Sequence, residues 1–439
     1  MKRFRRTIII SLLSIISTIS LHVLSAQAID PDAFTARLQK SVSQNCWRVM
    51  SFAKGCWSIT ASKSELDGDN IVLHDVVIKM LKVDDIGATV DDKSPSDMSN
   101  DKTGSATPDE GKSILKGSPL LEFEKIDNIT FENVSEDRSG NFLTRKLSVP
   151  MLKYEAPESK LIVTDITFEN IKLASEKNKD PIIANFPYER ASFKQINWTH
   201  DDNTIILYFD TLQLHYIPQP QTKAIEFEAS AKSFNYALST LVYSPNSERL
   251  RLLGYKNLSG SFDFHANWDI VSGNYNGDQN EIKLDDIGNL KFSVNLGGIN
   301  EDMMKDINFI QTEANTLAMF TVFDRISDRI KFGDINIRYD DRGFVNKVLD
   351  YNAEKNGMTR ETLRTQIKSM LPLMGTKIKD PEFVQNTSEQ LGNFLDNPVS
   401  LTISTSLGIT IPADLIEAMG EKSAIKLINL LKLKLEVNE

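Results

Sequence analysis

The sequence predicts a β-rich α+β fold: one or two long curved antiparallel sheets of repeated amphipathic strands, with a helical C-terminal part. Three observations predict it. A strand unit occurs twice, as NITFENV at 128–134 and DITFENI at 165–171. Apolar and polar residues alternate in successive runs between 205 and 296, separated by turn-forming stretches. Apolar residues then recur mostly three or four apart across 301–330 and again within 344–395, which is helical spacing.

The chain of 439 residues opens with a basic head, Lys2, Arg3, Arg5 and Arg6. An apolar run from Thr7 to Leu24 follows, then a small-x-small exit at Ala26-Gln27-Ala28. Residues 1–28 therefore read as a secretory signal peptide delivering the chain to a periplasm. The alternative is an uncleaved N-terminal anchor in the inner membrane, since the run approaches spanning length. No Cys stands at the exit, which argues against a lipoprotein. Cleavage would remove four basic residues and no acidic one, taking the formal net charge from −10 to −14. Such an acidic surface disfavours nucleic acid and anionic head groups as partners.

Residues 29–83 are expected to hold one helix and the first strands. Asp30-Pro31 resembles a helix start, and Phe34, Leu38 and Val42 then share one face. From Trp57 the period falls to two, and IVLHDVVIKMLKV (71–83) follows as one strand or a bent pair. The only two cysteines, Cys46 and Cys56, lie in this region. In an oxidising compartment a disulfide is the leading expectation, with two buried free thiols as the alternative. Zinc is poorly supported, because no His or second Cys pair lies nearby.

Residues 84–119 have no aromatic and are rich in Asp, Ser, Gly and Lys. They read as a disordered acidic insertion between strands, because they bury too little surface to offset chain entropy. Residues 120–300 form the antiparallel β region. In the repeated unit, Ile129 and Phe131 share a face, Ile166 and Phe168 do the same, and the phase breaks after Glu-Asn each time. That break predicts a bulge or turn. Further strands follow, among them Ile225 to Ala231, Phe262 to Trp268 and Leu290 to Leu296, each apolar on one side.

Residues 301–439 form a helix-rich α+β region. A long amphipathic helix is expected over 301–330, then a strand at 334–341. Helices follow, one ended by Gly357, one capped by Thr359 and ended by Gly375, and one opened by Asp380-Pro381. Val399, Leu401, Ile403, Leu407, Ile409 and Ile411 predict a single long strand. A short helix from Pro412, another helix and a terminal strand close the chain.

No nucleophile elbow, zincin pair, Walker loop or dinucleotide glycine run occurs, so an enzyme is not expected. No cofactor or metal is expected either. His74, His200, His215 and His265 lie far apart, mostly on polar strand phases or strand ends. The Asp-Asp pairs read as turn or strand-end acids, since adjacent strand residues point to opposite faces. Phe131, Phe168, Phe227, Phe262, Phe264, Trp268 and Phe292 fall on apolar strand faces. If helices cover that face, these residues are core. If the sheet curls and stays partly open, they line a groove for acyl chains or an extended peptide.

The segments INIRYDD, GFVNKVLDYNAEKNG, TRETLRTQIKSMLP, NFLDNPVSLTIS, IPADLIEA and LLKLKLEVN follow one another within 333–437. In that order they resemble a family of uncharacterised exported proteins of alphaproteobacteria, and DPDAFTARLQK and DGDNIVLHDVVI fit the same layout. The acidic insertion and the Cys-x9-Cys pair depart from it. At a greater distance the repeated amphipathic strands are similar to AsmA-like envelope proteins, whose curled sheets are associated with lipid handling. The resemblance implies no catalytic residues. The expected function is a non-enzymatic envelope protein that binds lipid or another apolar ligand along the sheet. The alternatives are an assembly protein binding other envelope proteins and, third, a hydrolase with dispersed carboxylates.

Overall fold

Phe34, Leu38 and Val42 are spaced so that only a helix brings them to one side, and the computed structural model forms that helix, α1 (Pro31–Ser43), with all three buried. The structure describes residues 29–439 apart from 44–45, 50–52, 83–118, 176–186, 220–222, 241–244, 304, 307–325, 327, 376–377, 379 and 417–423. The expected signal segment, nearly all of the acidic insertion and most of the 301–330 helix lie outside the described residues. Pro119, placed at the end of that insertion, opens a strand instead.

The described strands are β1 (Cys46–Val49), β2 (Ala53–Thr60), β3 (Lys63–Asp67), β4 (Asn70–Lys82), β5 (Pro119–Glu122), β6 (Ile126–Glu132) and β7 (Ser135–Glu136). They continue as β8 (Phe142–Ala156), β9 (Ser159–Leu173), β10 (Arg190–His200), β11 (Ile205–Gln219), β12 (Ala224–Ala237), β13 (Asn257–Asp269), β14 (Asn274–Leu284), β15 (Gly288–Gly297) and β16 (Lys331–Asp341). The last are β17 (Ser400–Ser404), β18 (Ile411–Pro412) and β19 (Lys434–Val437). Together they make one antiparallel sheet of 19 strands. The long β4 is a hub: β2 and β3 pair along one edge of it, β5 and β6 along the other. From β8 to β17 each long strand pairs with the next, and β19 closes the far edge on β17.

Both Glu-Asn breaks expected from the repeated unit are real. Asn133 and Asn170 have left-handed backbones, φ 52° and 51°, a conformation Asn tolerates better than most residues. Four more left-handed residues inside strands, Asp75, Asp165, Thr211 and Gln279, were not expected. The ladders skip a position beside each of the last three. Such irregularities bend and twist strands, which is how a sheet of this width curls. Asp75 settles the 71–83 run as one strand with a bend: Ile71 and Leu73 precede it, and Val76, Ile78 and Met80 regain the same buried face after it.

Helices α2 (Pro245–Leu252), α3 (Phe344–Lys355), α4 (Arg360–Met374), α5 (Pro381–Asp396) and α6 (Ala424–Leu431) complete the described elements. The expected caps hold: Thr359 accepts from Thr362 N at 3.1 Å, and Asp380 accepts from Phe383 N at 3.0 Å. The strand expected over 399–411 needs correction. It is two short pieces, β17 and β18, and Val399 and Ile409 are exposed. Asp334 Oδ1 accepts from the backbone N–H groups of Leu407 and Gly408, and Gly408 turns at φ 67°. The intervening backbone thus bonds to a side chain rather than to a ladder.

The Asp340-Asp341 pair has a structural task. Asp340 meets Arg338 at 2.7 Å and Lys291 at 3.3 Å. Asp341 accepts from Gly343 N and Val345 N at the start of α3 and from the Tyr339 hydroxyl at 2.7 Å. Burial and then the Asp341 carboxylate hold the Tyr339 phenol far above its ordinary range. Asp341→Ala is expected to destabilise the chain by about 1–2 kcal/mol, the usual loss of a helix-start acceptor, read as a lower urea midpoint at unchanged slope.

Candidate apolar trough

Ladder register carries one row of side chains across the sheet. Ile71 faces Phe131, Phe131 faces Leu147, Leu147 faces Phe168, and Phe168 faces Ala191. The row continues through Leu214, Ala229 and Phe264. The bulge at Gln279 puts Asn280 in the next place, and Phe264 reaches past it to Phe292 with ring centroids 6.0 Å apart. Phe292 faces Ile337, Ile337 faces Ile403, and Ile403 faces Leu435. Asn280 is the one polar member. Its Oδ1 accepts from His265 N and its Nδ2 donates to Phe292 O, so it repairs the bulged ladder.

The large residues of this row differ in exposure. Ile71 and Phe131 are 0% and 1% exposed, whereas Ile337 and Ile403 are 39% and 40%. Phe227, Phe262, Phe264 and Phe292 between them are half-buried. The near end is roofed by α1, whose Phe34 packs edge-on against Phe131 at 4.9 Å and Phe142 at 5.5 Å. At the far end α5 packs on β19, the strand that carries Leu435.

Midway along β12 and β13 three large residues meet small ones, while Ile225 faces Trp268 at one end and Tyr236 faces Leu258 at the other. Phe227 faces Ala266, Ala229 faces Phe264, and Ala231 faces Phe262. Gly277 continues the Phe227–Ala266 row on β14. The three alanines are buried between the half-buried rings. Tyr216 to Phe227 (5.0 Å), Phe262 to Phe264 (5.0 Å) and Phe209 to Phe262 (6.4 Å) keep the rings in contact along it.

The sequence named seven residues for this face. Phe168, Phe227, Phe262, Phe264 and Phe292 line its half-buried part, and Phe131 is core beneath α1. Trp268 is also core: it is 8% exposed, packs with Ile225 and Ile270, and donates its indole N–H to Ile299 O. The alanines between the rings gave no sequence signal, because their partners depend on register.

The opposite face is wet and charged. Lys194 pairs with Asp165 and Lys232 with Asp210, each at 3.0 Å, and Arg190 with Glu169 at 3.3 Å. The Lys232 hydrogen bond holds the Asp210 carboxyl below its ordinary range. Such exposed pairs contribute little individually and keep the face solvated. His215 lies 2.9 Å from Glu228, with His265 3.7 Å away on its other side, a juxtaposition that sequence distance hid. Among the described residues no group of three or more His, Cys, Asp or Glu side chains is placed to hold a metal ion.

Cys46 and Cys56 are direct Cα partners in the β1–β2 hairpin. Their side chains fall outside the described residues, and no disulfide is seen among those described. No described helix is long and apolar enough to cross a membrane. A family model described as an uncharacterized protein matches residues 281–438, from inside β14 to β19. The β13–β14 ladder crosses the start of that match, so the matched part shares its sheet with the rest. A comparison with curated proteins finds no match.

Proposed function

We propose that this is a non-enzymatic envelope protein of the periplasm that binds the hydrocarbon part of a lipid along the curved sheet. The observation that carries the reading is the row from Ile71 to Leu435, apolar but for Asn280, buried beneath α1 and carrying exposed Ile337 and Ile403 farther along. An apolar face this continuous is normally covered, and a long unbranched hydrocarbon matches its shape and chemistry. Lipid extraction and mass spectrometry of the purified protein test it: a co-purifying acyl lipid is expected. An empty extract together with no binding of a fluorescent fatty acid would refute it.

Export carries a second expectation. Opposed Cα positions suit a disulfide between Cys46 and Cys56 in an oxidising compartment. Protein isolated from its native compartment should show no free thiol until it is reduced. Cys46→Ser should cost about 2–3 kcal/mol, from the entropy of a short closed loop.

An assembly role is the second reading. Met370 and Leu373 are 54% and 66% exposed on α4, a helix that packs against α3 and α5. Cross-linking in cells from these positions would give one defined protein neighbour if α4 docks a partner, and scattered products otherwise.

A further inference from the structure

Beneath α1 the packing leaves an apolar cavity of about 80 Å³. Leu38 and Val42 roof it, and Ile129, Val149 and Ile166 form part of its floor. Phe168, Tyr188 and Phe193 also line it. Tyr188 lies 5.3 Å from Tyr216, which in turn stacks edge-on at 5.0 Å against Phe227. A run of ring contacts thus leads from the wall of the cavity to the half-buried apolar face.

Resting on the lipid-binding reading above, we propose that the trough is blind at its α1 end, and that this cavity receives the methyl end of a single unbranched acyl chain. The polar end of the lipid would then leave in the direction of β12 and the strands beyond it.

Three observations set this polarity. First, the cavity offers a head group nothing. Its one lining hydroxyl, on Tyr188, is already bonded to Tyr216, and an unpaired polar group placed there would be costly. Second, α1 is fixed in place. Phe34 is wedged between Phe131 and Phe142, while Arg37 donates to Gly140 O and lies 4.5 Å over the Phe142 ring. A chain entering from the open side would stop there. Third, the lengths agree. A bilayer core of about 30 Å holds two chains end to end, so one chain spans about three strand spacings of about 4.8 Å. A methyl end among β8 and β9 puts the other end near β12, which carries the half-buried Phe227.

The test uses the full mature chain and a homologous series of saturated fatty acids competing with a fluorescent one. Val149→Phe fills the cavity and should weaken the longest chains about tenfold or more, since each methylene that no longer fits costs about that much, with short chains unchanged. Val42→Ala enlarges it and should move the preferred length upward. Should Val149→Phe fail to fold, the wild-type protein still decides. Stearic acid with a nitroxide near its methyl end should be more immobilised in its electron spin resonance spectrum than the isomer labelled near the carboxyl. Equal mobility of the two, or variants that shift all chain lengths alike, would overturn the blind end while leaving the trough intact. Failure of every fatty acid to bind the wild-type protein would overturn both.

Discussion

Phe264→Asp is expected to abolish acyl-chain binding while leaving the protein folded. Phe264 stands mid-row, opposite Ala229 and in contact with Phe262 and Phe292. A carboxylate there would have to be desolvated beneath bound hydrocarbon, a penalty that outweighs the few methylenes the chain buries around it. Affinity should fall at least about a hundredfold, the equivalent of about 3 kcal/mol. The folded state should lose less, about 1–2 kcal/mol, because the ring is half-exposed without ligand. Phe292→Asp, on β15 and farther from α1, should weaken binding less. His265→Ala, one residue along on the opposite face, should leave affinity unchanged. A fluorescent fatty acid titration beside a urea melt reads both quantities, and parallel losses of binding and folding would show that the row is ordinary core.

The largest effect on stability is expected at Phe131. It is 1% exposed, directly faces Ile71 and Leu147, and meets Phe34 of α1 edge-on. Phe131→Ala removes the ring on which α1 rests, and burial this complete puts the cost at about 3–5 kcal/mol. The urea midpoint should drop accordingly, and limited proteolysis should cut first near α1. Phe168→Ala, the matching residue of the second repeat copy, should cost less because that ring is half-buried. Equal costs at the two positions would mean that α1 does not roof one copy more than the other.

That difference between two near-identical segments shows what local sequence can and cannot carry. NITFENV and DITFENI announce the same strand, the same apolar pair and the same break at Glu-Asn, and the structure has all three, each break at a left-handed Asn. What distinguishes them is distant in sequence: Phe131 lies against Phe34 of α1 and is buried, whereas Phe168 lies against Tyr188 and Phe193 and is half-buried. The one-sided strands were legible because their period is local. The Phe-to-Ala pairing across β12 and β13 was not, since one residue of slip would change every partner. The 399–411 run failed for a related reason: its alternation is real, but Asp334, far away in sequence, takes its backbone N–H groups. Trp268 takes the core alternative, because its strand end is covered by Ile270 and Ile299, which lie beyond the strand itself. Thr211 shows the same limit, for a β-branched residue at φ 52° has no local reason to be there and is set by the ladders on either side.

Neighbouring residues of β13 offer the most direct measurement. A photoreactive phenylalanine analogue placed at Phe264 and, separately, at His265 differs by one residue and by face of the sheet. Irradiation in cells followed by mass spectrometry of the purified chain should give a lipid adduct from position 264 and none from 265. Adducts at neither position, or equally at both, would contradict an apolar trough that carries a lipid chain.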